Sequence, residues 1–286
     1  MNVVESDLSR RVRELTAELE DMRLLYEMAI DHGEAVESQL EDANTELRLT
    51  QARLDNELAD AAQYIQALMP ERRHSFPQID WCYEASSELS GDTLGYFEVD
   101  ETKVAFYVID VCGHGVGAAL LSASVANQLR AWPTELADPN NPSELLAALN
   151  RIYPMERHGE RFFTIWYGIH DAAAGVLRYA SAGAPPALLL SKGEARLLGK
   201  PALPIGCMEG LRVFTQCEPI QSGDRLLIFS DGVYEVDDDV GVQLGLARFC
   251  QEAAACDEPS ALLSFVRKRS AAVRLPDDFT LMRVQF

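Results

Sequence analysis

At 286 residues, 48% of them apolar, the chain has material for one large domain plus an appendage, or for two modest domains. Its net charge of −20 argues against a nucleic-acid surface, where Lys and Arg must displace counterions, and disfavours anionic membranes. No stretch approaches the roughly 20 apolar residues of a membrane-spanning helix. Met1 is followed by Asn-Val-Val-Glu-Ser-Asp rather than a basic, then apolar, leader, so a cytoplasmic protein is expected.

From Leu8 onward apolar residues recur in steps of four and three: Val12, Leu15, Leu19, Met22, Tyr26, Ala29, then Val36, Leu40, Ala43, Leu47 and Leu54. This heptad seam predicts a long helix, interrupted or softened near His32-Gly33, that forms a parallel homodimeric coiled coil. The competing arrangement is a helical hairpin bent at Gly33. From Leu54 to Met69 the stripe broadens through Leu58, Ala61, Ala62, Ile65 and Leu68, as for a helix docking on the following domain, and Pro70 ends it. Residues 1–70 are therefore read as a dimerisation and regulatory helix and 71–286 as the main domain.

After Pro70 short apolar runs are punctuated by Gly, Pro and Asp. Strands are predicted at Val104–Ile109, Phe162–Ile169, Ala187–Leu190, Arg225–Phe229 and Phe279–Val284. Helices are predicted at Gly117–Ala131, Ser143–Ile152, Leu244–Cys256 and Pro259–Val273. Strands outnumber helices without strict alternation, which favours a layered α+β or α/β/α sandwich over a Rossmann sheet. The aromatic residues in these runs, Phe106, Phe162, Phe163 and Trp166 among them, are expected to pack in the core. The six cysteines form no CxxC pair, which suits reduced, buried thiols, and the five histidines are too scattered for a zinc site.

Four acidic stations fall where an apolar run meets a turn: Gly91-Asp92, Asp110 in Ile-Asp-Val-Cys-Gly-His-Gly, Ser230-Asp231-Gly232, and Asp277-Asp278. Carboxylates at strand ends are rigid and reachable, and hard divalent cations prefer such oxygen ligands. One Asp-Gly turn is ordinary turn chemistry. Four of them spread over nearly 190 residues of sequence suggest a shared metal centre.

From about Ala62 to the C-terminus the chain resembles the metal-dependent PPM (PP2C-like) serine/threonine phosphatases, in their bacterial RsbU/SpoIIE-type branch. The matching segments are residues 61–70, Glu88-Leu89-Ser90-Gly91-Asp92, 109–115, Phe162-Phe163-Thr164, 179–186, Gly223-Asp224-Arg225, 230–235 and Asp277-Asp278-Phe279-Thr280-Leu281. The resemblance implies a PP2C-like α/β/β/α sandwich behind the coiled-coil helix. It also implies two Mn2+ or Mg2+ ions per site, with Asp110 bridging both, Asp231 and Asp277 completing one shell, and Asp92 with the Val111 carbonyl completing the other. Such a pair activates water for in-line attack on phosphorus. Asp278 ranks below Asp277 as a ligand and is expected to orient water or cap its loop. His114 is a candidate general acid, and Glu88 a candidate support for the metal shell.

By the same resemblance, the substrate is a phosphorylated STAS-type anti-sigma-factor antagonist in a partner-switching pathway; a pseudophosphatase adaptor is the alternative. The last helical stretch, 54–69, is expected to lie near the Asp92 and Asp110 stations. Two departures from the pattern stand out. Relatives often carry a second Asp where this chain has Gly95, and a His where it has Ala184.

Overall fold

The computed structural model describes residues 2–132, 136–272 and 274–286, with side chains from Asp7 onward. The chain divides into two compact units, residues 1–58 and 59–286.

The described residues of the first unit all lie within one helix, α1 (Asn2–Ala67), which continues into the second. It runs unbroken through Gly33, which overturns both the predicted interruption and the hairpin. A glycine costs a helix only about 1 kcal/mol relative to Ala, and Ala29, Glu34 and Ala35 close by are strong helix formers. Pairs one turn apart, such as Arg23–Glu27 and Arg53–Glu57, each at 3.0 Å, add a few tenths of a kcal/mol each. Every side chain from Asp7 to Glu57 is exposed, including the seam residues Leu8, Val12, Leu15, Leu19 and Met22.

The second unit contains the last turns of α1, then β1 (Gln78–Glu84), β2 (Thr93–Asp100), β3 (Lys103–Val111), α2 (Val116–Arg130), α3 (Pro142–Ile152), β4 (Phe163–Asp171), β5 (Val176–Ala182), β6 (Ala187–Ser191) and β7 (Glu194–Leu198). There follow β8 (Gln216–Pro219), β9 (Arg225–Phe229), α4 (Leu246–Ala255), α5 (Pro259–Arg269) and β10 (Phe279–Gln285). Two antiparallel five-stranded sheets form, in the orders β1-β10-β9-β6-β7 and β2-β3-β4-β5-β8. The predicted α+β sandwich is therefore present. The helix predicted to reach Val273 stops at Arg269, and Val273 itself lies outside the described residues.

The layers follow from side-chain alternation. Along β3, Val104, Phe106 and Val108 face the other sheet and meet Leu189, Ile228, Met282 and Val284. The intervening Ala105, Tyr107, Ile109 and Val111 pack with Leu121, Val125 and Leu129 of α2 and Leu145 and Leu149 of α3. A strand covered on both faces must be apolar throughout, which is why β3 reads as an unbroken run. On the far side Leu227, Phe229, Phe279 and Leu281 are covered by Phe249, Leu262 and Val266 from α4 and α5. Each fully buried Leu, Ile or Phe contributes roughly 1.5–3 kcal/mol, so three such clusters hold the sandwich rigid.

Of the aromatic residues, Phe106, Phe163, Trp166 and Tyr167 are fully buried as expected. The six cysteines are free thiols, but five are only half-buried and Cys217 is exposed. They do not serve as the fully buried apolar residues anticipated.

Candidate active site

The four stations converge at one end of the sandwich because both sheets deliver strand ends there. Asp110 is the penultimate residue of β3, and Asp92 directly precedes β2. The β2–β3 register pairs Thr93 with Ile109, so Asp92 and Asp110 are carried side by side. On the other sheet, Asp231 opens a 3₁₀ turn after β9, and Asp277 lies two residues before β10. Ser230 N–H donates to the Thr280 carbonyl at 3.1 Å, which ties these two ends together.

Two glycines allow the backbones to meet. A Cβ on Gly91 would lie 2.7 Å from the Val111 carbonyl oxygen, and one on Gly232 would lie 2.2 Å from that of Asp278. Both distances are below any real carbon–oxygen contact, so any side chain there forces the strand ends apart.

Asp110, Asp231, Asp277 and Asp278 line a cavity of about 340 Å³ together with Val111, His114, Phe162 and Thr164. Asp92 sits behind this wall, only 2% exposed, and its Oδ2 is buried with no hydrogen-bond partner among the described residues. Among the described residues no three Asp, Glu, His or Cys side chains close into a compact metal cage. The carboxylates ring a space instead.

Their electrostatics are those of crowded anions. Burial, then the charges of Asp110 and Asp278, push Asp92 well above the ordinary carboxylate range. Burial, then the charges of Asp231 and Asp277, raise Asp110 to about 7. Asp231 is raised by burial and by Glu235. Asp277 is raised by burial and by repulsion from Asp231 and Asp278, against a lowering from its bond to the Asp278 N–H and from His114. An all-oxygen donor set, one buried oxygen without a partner and this mutual repulsion together fit hard divalent cations.

Asp278 is a loop cap. Its Oδ1 accepts from the N–H and the hydroxyl of Ser86, both at 2.8 Å, and its Oδ2 accepts from the Ser90 hydroxyl at 2.6 Å and the Gly91 N–H at 3.0 Å. The Ser90 Oγ in turn accepts from the Asp92 N–H at 2.9 Å. One side chain thereby fixes the loop that presents Asp92. Sequence reasoning did not name Ser86, and it quoted Ser90 only within the segment 88–92 without giving it a role, since the partner of both lies 188–192 residues away.

The remaining candidates separate clearly. His114 is exposed on the cavity wall. Glu88 points elsewhere and pairs with Arg274 at 3.3 Å on the surface, so it is an ordinary surface carboxylate. Gly95 lies beneath Tyr107, and an added Cβ would be 2.3 Å from the tyrosine hydroxyl, which leaves no room for the Asp of the family pattern. Phe162, assigned to the core by its sequence context, is half-buried and lines the cavity.

Comparison with known proteins agrees with this arrangement. The family profile described as stage II sporulation protein E (SpoIIE) matches residues 100–286. The chain is 34% identical over 160 residues to the phosphoserine phosphatase RsbP of Bacillus subtilis, covering 55% of this chain and 40% of that protein. To the phosphoserine phosphatase RsbU of the same organism it is 25% identical over 215 residues, covering 74% and 62%. The chain thus spans less than two thirds of either relative.

Among solved structures, the SiaA PP2C domain of Pseudomonas aeruginosa superposes with a TM-score of 0.73 at 18% identity, covering 83% of this chain and 98% of that one. The RsbU and RsbW domains of Rv1364c from Mycobacterium tuberculosis give 0.58 at 26% identity, covering 73% and 60%.

Proposed function

Because this chain belongs to the stage II sporulation protein E (SpoIIE) family, we propose that it is a PPM-type phosphatase that hydrolyses phosphoserine or phosphothreonine on a protein substrate with the help of Mn2+ or Mg2+. The observation that carries this reading is the ring of Asp110, Asp231 and Asp277 around an open cavity, backed by the buried, unpartnered Oδ2 of Asp92. These four Asp side chains, with the Val111 carbonyl, are the groups that would hold two ions. When bound, such a pair neutralises the site's charge and makes water nucleophilic at neutral pH. The chain's own part is positional: Asp92 and Asp110 present oxygen ligands from adjacent strands, Asp231 and Asp277 present them from the facing sheet, and Asp278 holds the Asp92 loop in register.

By family resemblance, the substrate is a phosphorylated STAS-type protein of a partner-switching pathway, and the protein works in the cytoplasm. Among the described residues no helix is long and apolar enough to cross a membrane. Hydrolysis of a phosphoserine peptide or an aryl phosphate, with and without Mn2+, tests the activity. Asp110→Asn and Asp231→Asn are expected to abolish turnover while the circular dichroism spectrum stays native. Metal-independent turnover, or full activity in either variant, would refute the assignment.

The exposed seam of α1 supports a parallel homodimeric coiled coil, since a row of apolar side chains repeating every three to four residues is buried only by a partner helix. The end of the same helix supports a role in control. Ala62, Ile65 and Gln66 border a cavity of about 310 Å³ with Leu89 and Ser90, and Ser90 Oγ accepts from the Asp92 N–H. A rotation of the helix would be felt at the Asp92 loop, as in a two-state switch of metal affinity. Deleting residues 1–50 is expected to yield a monomer with altered Mn2+ dependence. An unchanged dimer in light scattering, or an unchanged metal requirement, would dismiss the coil or the switch respectively.

A further inference from the structure

The apolar layer between the two sheets ends, at the site, in polar residues. Leu94 of β2, Val108 of β3, Ile228 of β9 and Met282 of β10 belong to this layer. Side chains two residues apart along a strand share a face, so the next positions toward the site are Asp92, Asp110, Ser230 and Thr280. Two carboxylates from one sheet thereby confront two hydroxyls from the other. Asp92, Ser230 and Thr280 are each at most 2% exposed.

Donor accounting singles out one of the hydroxyls. Ser230 Oγ donates to the Asp278 carbonyl and accepts from the Thr280 N–H, both at 3.2 Å, so its one proton is committed. Thr280 Oγ1 is buried with no hydrogen-bond partner among the described residues, and so is Asp92 Oδ2. The two unpaired oxygens are neighbours. Burial and the charges of Asp110 and Asp278 push Asp92 up, while the hydroxyls of Thr280 and Ser230 beside it act in the opposite sense.

Packing does not account for the Thr280 hydroxyl. The other buried positions of β10 are Phe279, Leu281, Met282 and Val284, all apolar. Valine has the same branched shape as threonine and favours strands as strongly, and it avoids the cost of burying an unbonded hydroxyl. Asp92, for its part, needs a side-chain anchor. Asp278 and Ser90 fix its backbone, but the terminal torsion of an aspartate is broad and leaves the carboxylate free to turn. Side chains that bind metal ions are commonly oriented by a hydrogen bond from a neighbouring group.

We propose that Thr280 is a positioning residue for Asp92, whose hydroxyl donates to the buried Oδ2 and so turns the other carboxylate oxygen toward a divalent cation. The two oxygens left unpaired here become partners when the ion is held. The inference rests on the metal-dependent reading above. It deepens that reading by naming the group, on the opposite sheet, that sets the orientation of one ligand.

The test uses the full chain, with Mn2+ itself as the probe in a calorimetric titration. Thr280→Val removes the hydroxyl at constant shape and is expected to weaken Mn2+ binding ~10-fold, the loss typical of one hydrogen bond to a charged group. Thr280→Ser keeps the hydroxyl and should recover most of that affinity. The metal-free melting temperature of Thr280→Val should not fall, because an unmatched buried hydroxyl is lost. A purely structural Thr280 would leave Mn2+ affinity unmoved. Should valine pack poorly, Thr280→Ala compared with Thr280→Ser, well below both melting temperatures, reads the same difference. In an Asp92→Ala background, Thr280→Val should add no more than about a twofold further loss, since there is no carboxylate left to orient. Wild-type Mn2+ affinity in Thr280→Val, equal losses in the Ser and Val variants, or a full further loss in the Asp92→Ala background would overturn the inference, and Mn2+-dependent turnover of the wild type would still uphold the phosphatase reading. Absence of Mn2+ binding by the wild type would overturn both together.

Discussion

Replacing Asp278 by Ala isolates the capping role that the structure gives this residue. The substitution removes the acceptor for four donors, of which the Ser90 hydroxyl and the Gly91 N–H are buried. The two serine hydroxyls can rotate toward other acceptors, whereas the Gly91 N–H is fixed in the backbone and pays the penalty of an unmade bond, about 1–3 kcal/mol. Adding roughly 1 kcal/mol for the half-buried Ser86 N–H, and allowing for relief of repulsion on Asp92, gives a net loss on the order of 3 kcal/mol. For a unit of this size that lowers Tm by about 6–12 °C. Mn2+ affinity should fall as well, because the loop that aims Asp92 loses its anchor. Differential scanning fluorimetry with and without Mn2+, together with a calorimetric titration, reads both quantities. A Tm within about 2 °C of wild type with unchanged Mn2+ affinity would refute the capping argument. A native Tm with metal binding lost would instead make Asp278 a direct ligand.

The metal-free protein should become less stable as pH rises from 5 to 8. Asp92, Asp110, Asp231 and Asp277 are all raised in the folded state, Asp110 to about 7, so the folded chain holds protons that the unfolded chain has already released. The stability they confer is complete below the unfolded pKa and is lost as pH passes through the folded one. Mn2+ must displace these protons and should therefore bind more tightly at pH 8 than at pH 6. A flat metal-free melting profile across this range would contradict the crowding of the four groups. Gly232→Ala puts a Cβ 2.2 Å from the Asp278 carbonyl oxygen and should separate the two strand ends, costing at least about 2 kcal/mol by chemical denaturation and most of the turnover. Wild-type behaviour of this variant would show that the close approach does not matter.

The site was legible in part because its aspartates announce themselves locally: an apolar run, then Asp, then a turn. The strands read most easily were the central ones, β3, β4, β9 and β10, buried on both faces and so continuously apolar. Most of those missed, β5 apart, were strands with exposed or mixed faces. In β7, Glu-Ala-Arg-Leu-Leu, four of five residues are exposed, and β8 has no buried position. In β1, Trp81, Cys82 and Tyr83 are consecutive and only half-buried, so neither alternation nor a fully apolar run marks it. The interruption at Gly33 was misjudged because a mild propensity penalty was read as a break.

Sequence by itself determined that four strand-end aspartates exist, that a heptad-patterned helix precedes them, and which family's motifs they match, since these are properties of neighbours along the chain. Tertiary structure alone decided that Asp278 caps the Ser86–Gly91 loop, that Glu88 belongs to the surface, that Tyr107 occupies the space above Gly95, and that Phe162 borders the cavity. Each of these depends on which atoms meet across two sheets. A hydrogen bond or a steric exclusion between residues far apart in sequence leaves no trace in the local pattern of either.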